Sequence, residues 1–166
     1  MKQRVKQILM LASFILLLTN ISYAAETKTA PATEGSKTAT FAGGCFWCME
    51  AEFSHKDGVT DVVSGFAGEG AQPTYEQVGT GETGFKEAVS VTYDPSVVTY
   101  QELLDIFWSN VDPFDDKGQF CDKGTQYQAA IYYGAAGEEK LARDSLKKTE
   151  EKFGKKVATQ ILPQTK

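Results

Sequence analysis

Apolar and polar residues alternate along the chain in two periods, and the switches between them mark the elements. Residues 38–42 have the period of a strand, and Gly43-Gly44 break it immediately before Cys45. From Phe46 to about Lys56 the period is helical, with Phe46, Met49 and Phe53 spaced at three and four on one face. Residues 59–66 predict a second strand, closed by the glycine-rich GFAGEG, and residues 71–86 are mostly turn formers that predict a long surface loop. Residues 87–93 alternate, with Glu87, Val89, Val91 and Tyr93 on one face and Asp94-Pro95 closing the strand. Thr99 followed by Glu102 is a capping box for a helix running to about Asn110, with Leu103, Leu104, Phe107 and Trp108 available to bury. A second long loop covers 114–127, an apolar strand 129–133, a strongly charged helix 138–153 with Gly154 as its C-cap, and a last short strand 157–162. Strands and helices interleave without the regular repeat of a doubly wound sheet. The expectation is an α+β fold, a mixed β-sheet covered by helices.

The first 24 residues follow a different logic. Lys2, Arg4 and Lys6 precede an apolar run over 8–21, and Ser22, Tyr23 and Ala24 place small residues at the −3 and −1 positions of a processing site. This reads as a secretory signal peptide, because the apolar run is shorter than the roughly 20 residues a membrane span needs. Residues 25–37, AETKTAPATEGSK, have no periodic apolar face and read as a flexible leader, leaving 38–166 as the folded domain. The chain of 166 residues carries a formal charge of −5; removing the first 24 residues takes away three positive charges and leaves −8 on 142 residues. That balance argues against a nucleic-acid or acidic-membrane partner, which clustered Lys and Arg would have to hold. A single histidine, His55, argues against a zinc or di-iron site. The reading is therefore a periplasmic or secreted monomer without a zinc or di-iron site.

Three cysteines remain, Cys45, Cys48 and Cys121. Only one intramolecular bridge can exist at a time, so an exported chain keeps at least one thiol free or shared with another molecule. GGCFWCME, residues 43–50, carries the strongest local signal. A thiol at the start of a helix faces unpaired backbone N–H groups and the positive end of the helix dipole, which favour its thiolate. Cys48 lies three positions on, where its side chain returns toward the same face. Spacing alone leaves two readings open, a redox pair and two buried small hydrophobes.

The same residues, Gly43 to Glu50, resemble the active-site signature of the peptide methionine sulfoxide reductase A family. The resemblance continues through Pro73-Thr74-Tyr75-Glu76, Thr83-Gly84, Glu87, Tyr93-Asp94-Pro95, Asp112-Pro113 and QFCDKGTQY over 119–127. It implies a two-layer sandwich with a ferredoxin-like core. It implies Cys45 as the nucleophile on the sulfoxide sulfur, and Phe46 and Trp47 as the cage for the substrate methyl. Glu87, Tyr75 and Tyr127 would hold and protonate the sulfoxide oxygen, with Asp122 supporting them. The implied substrate is the S epimer of methionine sulfoxide, free or in oxidised proteins and peptides, the implied reductant is a thioredoxin-like dithiol, and the resemblance implies no metal and no organic cofactor. Cys121 and Cys48 are the internal candidates to resolve a sulfenic acid on Cys45, Cys121 being preferred because Cys48 shares a rigid helix with Cys45. The alternatives are a general thiol-disulfide oxidoreductase using Cys45 and Cys48, and an inactive binder of oxidised peptides. Phe85 stands where the family has histidine, Gln128 where it has arginine and Glu69 where it has glycine; the usual aromatic-rich C-terminal segment is not in the sequence.

Overall fold

A computed structural model of the chain describes residues 35–164; the expected signal peptide and all but the end of the leader lie outside them. The elements in order are β1 (Lys37–Ala42), α1 (Phe46–Ser54), β2 (Val59–Ala67), α2 (Tyr75–Gly79), β3 (Lys86–Tyr93) and α3 (Tyr100–Ser109). A short hairpin follows, β4 (Gly118–Gln119) and β5 (Asp122–Lys123), then a 3-10 turn (Thr125–Tyr127), β6 (Ala130–Tyr133), α4 (Glu138–Phe153) and β7 (Gln160–Pro163).

Five strands form one sheet in the order β2-β3-β1-β6-β7. β3 lies antiparallel between β1 and β2, and β1 antiparallel between β3 and β6, which is the split βαβ arrangement of a ferredoxin-like core. α4 then carries the chain to β7, which pairs parallel with β6 and makes the sheet mixed. One face of the sheet, with Ala39, Phe41, Val89, Val91 and Ile131, buries Phe46, Met49 and Phe53 of α1 and Leu103, Leu104 and Phe107 of α3. The two layers are thus one sheet and its helices. The other face is built of small residues, Ala42, Ala88 and Ala130, around Tyr132. It bears a concavity of about 530 Å³ that contains none of the three thiols.

Alternation in β3 puts Glu87 on the helix-covered side with Val89 and Val91. Register pairs Glu87 with Phe66 of β2, so both side chains reach the same side beneath the start of α1. The departures from the sequence-based expectation are local. The predicted loop over 71–86 contains α2, opened by a capping box in which Thr74 and Gln77 exchange side-chain and backbone hydrogen bonds. The predicted loop over 114–127 contains the hairpin and the 3-10 turn. β7 starts three residues late because the Ala158 N–H donates to the Pro113 carbonyl at 2.7 Å instead of to a strand. Trp108 is half-buried, its Nε1–H donating to Ser145 Oγ at 2.9 Å.

Candidate active site

Cys45 is the N-cap of α1, one position outside the helix, with φ −56° and ψ 120°. Its carbonyl accepts the N–H groups of Cys48 and Met49 at 3.1 and 3.3 Å, so its backbone closes the helix while its thiol stays free of the helical geometry. Gly44, with φ +90°, makes the approach possible: a Cβ there would lie 2.8 Å from Gln119 Cβ. The β4–β5 hairpin therefore packs against the backbone that delivers the thiol. Gln119 is buried and locked, its Oε1 accepting from the Asp112 N–H at 2.7 Å and its Nε2 donating to the carbonyls of Asp112 and Gly118.

Glu87 reaches the same helix start from β3. Its Oε2 accepts the Phe46 N–H at 3.0 Å, and the residue is only 5% exposed. Burial pushes its carboxyl above the ordinary range; the Phe46 N–H pulls it down less strongly, and the nearby Asp122 charge pushes it further up. The result is a carboxyl inclined to keep its proton. Tyr127, at the end of the 3-10 turn, has its hydroxyl pushed up by burial first and then by Glu87, Asp122, Tyr75 and Cys45. Those four neighbours are the polar groups of the site.

The apolar half is an aromatic cluster. The Phe46 ring lies 5.6 Å from Trp47, 5.8 Å from Phe66 and 6.3 Å from Tyr75, and Phe66 lies 6.2 Å from Tyr75. Trp47 is 67% exposed and Tyr75 54%, so the rings form an open dish and not a closed pocket. Cys48 is exposed, but its thiol is pushed up by partial burial, then by the charge of Cys45 and a hydrogen bond to it, then by Asp122 and Glu52. The Cys45 and Cys48 thiols are therefore neighbours. Cys121 is exposed at the turn of the hairpin. Among the described residues, no three His, Cys, Asp or Glu side chains are grouped to hold a metal ion.

The structure brings Cys45, Phe46, Trp47, Cys48, Tyr75, Glu87, Asp122 and Tyr127 to one place, and adds residues that sequence reasoning missed. Phe66 completes the dish through its register with Glu87, a pairing that no local spacing reveals. Lys86 is buried beside Glu87 and donates to Gln128 Oε1 at 2.9 Å, while Gln128 Nε2 donates to the Asp116 carbonyl, pinning both ends of the loop that carries Asp122. Gln128 thus has a structural partner of its own. Phe85 is buried with its ring against Gly68, and Glu69 is exposed.

Comparison with known proteins agrees with this geometry. Residues 37–166 match the family model "Peptide methionine sulfoxide reductase". Peptide methionine sulfoxide reductase MsrA of Bacillus velezensis is 44% identical over 133 residues, covering 78% of this chain and 75% of the relative. Methionine sulfoxide reductase A of Corynebacterium diphtheriae superposes with a TM-score of 0.75 at 34% identity, over 78% of this chain and 65% of that one. Mxr1 of Saccharomyces cerevisiae in reduced form also gives 0.75, at 32% identity over 84% and 81%. The same yeast protein in complex with Trx2 gives 0.57 at 25% identity, over 86% and 84%. The family match covers the whole described sheet, from β1 to β7, and the relatives are MsrA proteins by sequence and by structure alike. The chain therefore belongs to the peptide methionine sulfoxide reductase family, whose reaction is the thiol-dependent reduction of methionine sulfoxide.

Proposed function

We propose that Cys45 reduces the S epimer of methionine sulfoxide, in exported proteins and as the free amino acid, with Glu87 as the proton donor. The observation that carries the reading is the meeting of two groups at the first turn of α1. The Cys45 thiol caps the helix, and the buried Glu87 carboxyl accepts the Phe46 N–H next to it. A sulfoxide sulfur becomes a good electrophile only as its oxygen gains a proton, so a thiolate and a neutral acid must address one S=O group together. The thiolate bonds to the sulfoxide sulfur as the oxygen takes the Glu87 proton, and transfer of the resulting hydroxyl to the cysteine sulfur then breaks both the methionine S–O bond and the new S–S bond. Methionine leaves as the thioether and Cys45 holds a sulfenic acid. Tyr75 and Tyr127 donate hydrogen bonds to the oxygen as charge develops on it. Phe46, Trp47 and Phe66 receive the methyl.

The Cys48 thiol then attacks the sulfenic acid, releasing water and leaving a Cys45–Cys48 disulfide. An external dithiol returns both thiols; the complex of yeast Mxr1 with Trx2 supports a thioredoxin-like reductant. The signal-like first 24 residues place this cycle outside the cytoplasm in our reading.

Racemic methionine sulfoxide with dithiothreitol tests the proposal. Selective loss of the S epimer by the wild type, with no single turnover by Cys45→Ser, is the expected result. Insulin reduction without sulfoxide loss would point instead to general thiol-disulfide exchange.

A further inference from the structure

We propose that Phe120 docks the chain neighbours of the oxidised methionine, so that the site favours methionine sulfoxide flanked by apolar residues. The proposal rests on the reductase reading above and adds to it a determinant of peptide specificity.

Phe120 and Cys121 form the two-residue turn of the hairpin, between the register pair Gln119 and Asp122. Phe120 has φ +48° and is 67% exposed. Both features cost stability. A left-handed backbone is unfavourable for a residue other than Gly or Asn, and an aromatic ring left in water forgoes the stabilisation of burial. Glycine or asparagine would fill such a turn at lower cost. The hairpin itself does not call for phenylalanine here, and strain of this kind concentrates at binding sites.

The position of the turn supplies the reason. Gln119 Cβ lies 2.8 Å from where a Gly44 Cβ would be, so adding standard bond lengths and one Cα step puts the Phe120 Cα within about 10 Å of that of Gly44. On its other flank, the charge of Asp122 is felt by Cys48, Glu87 and Tyr127. The turn thus stands on the rim of the dish, with the exposed rings of Trp47 and Tyr75 in the same site. A bound peptide steps about 3.8 Å per residue at most, so residues within two or three positions of the oxidised methionine pass over the rim. An aromatic ring on that rim offers apolar surface, which favours apolar side chains at those positions of a bound peptide. A free amino acid has no such neighbours. The ring should matter for peptides alone.

The test compares kcat/KM on free methionine-S-sulfoxide and on two short peptides, one with Leu and one with Ser on both sides of the oxidised methionine. Phe120→Asn removes the ring while keeping a residue suited to the left-handed turn, and Phe120→Leu keeps an apolar side chain. The wild type should prefer the Leu peptide by roughly fivefold, mainly through KM, a size typical of one aromatic contact. Phe120→Asn should lose that preference yet reduce the free amino acid at the wild-type rate, and Phe120→Leu should recover much of it. No preference in the wild type, an unchanged preference in Phe120→Asn, or an equal loss on the free amino acid would overturn the proposal. Absence of sulfoxide reduction by the wild type would instead overturn the reductase reading itself.

Discussion

The proton-donor role proposed for Glu87 makes two demands that oppose each other in water, a carboxyl that holds its proton and a place within reach of a thiolate. Burial and the neighbouring Asp122 charge act in the direction of the first, against the pull of the Phe46 N–H. A carboxyl whose folded-state pKa is raised contributes stability that is fully present below its unfolded value and is lost as pH rises through the folded value. Glu87→Gln keeps the shape and an acceptor for Phe46 but cannot ionise. Denaturant midpoints of the two proteins should therefore shift in favour of the variant as pH rises above the ordinary carboxyl range, whereas a constant difference would mean that folding leaves the Glu87 pKa unshifted. In single turnover the variant should be slower by ~10²-fold or more and lose the alkaline fall in rate that Glu87 ionisation imposes on the wild type. An unchanged rate would transfer the donor role to Tyr75 or Tyr127. Much of this site was legible at the residue scale, because Cys45, Phe46, Trp47 and Cys48 are contiguous. Phe66 and Gln119 were not: one joins through strand register and the other through a hairpin folded back on Gly44, and neither leaves a mark in local spacing.

At the scale of elements, sustained period decided what could be read. β1, β2, β3, α3 and α4 keep one period over several residues and lie within a few residues of their expected bounds. α2 has five residues, and its Thr74–Gln77 capping box was present in the sequence but diluted by the turn formers around it. β4 and β5 have two residues each, too few for any alternation to show. The junction between β1 and α1 depends on a single backbone position. Gly44→Ala puts a Cβ 2.8 Å from Gln119 Cβ in a left-handed conformation, and Gln119 is held on three sides by hydrogen bonds. The cost should be about 1–3 kcal/mol of stability, with the hairpin displaced and sulfoxide reduction slowed. Gly79→Ala offers the contrast, because Gly79 ends α2 with open space around it and no positive φ. It should be neutral or stabilising by about 0.5–1 kcal/mol. Thermal melts of the two variants check the order, and equal melting temperatures would show that the Gly44 turn relaxes freely.

Across the whole molecule, the fold brings three thiols near one helix start and allows one bond among them. Sequence reasoning favoured Cys121 as the partner of oxidised Cys45 on the ground that Cys48 was fixed in the same helix. In the structure Cys45 is the N-cap, with non-helical backbone angles, and it is near enough for its charge to act on the Cys48 thiol, which favours Cys48 instead. Residues three apart at a helix start have Cβ atoms about 5–6 Å apart, so a rotation of the unconstrained Cys45 side chain brings the pair toward disulfide geometry. Cys121 would need the hairpin to move, although Gln119 anchors it to Asp112 and packs it on Gly44. The raised pKa of the Cys48 thiol disfavours its thiolate and so suits a thiol that acts second. One equivalent of methionine-S-sulfoxide added to the reduced protein without reductant should therefore yield a Cys45–Cys48 bridge and a free Cys121, read by mass mapping after acid digestion. Cys48→Ser should complete the first turnover and accumulate a trappable sulfenic acid, while Cys121→Ser should cycle with a thioredoxin as the wild type does. A Cys45–Cys121 bridge in the wild type would show that the hairpin swings during turnover. The resolving role would then pass from the helix to the loop.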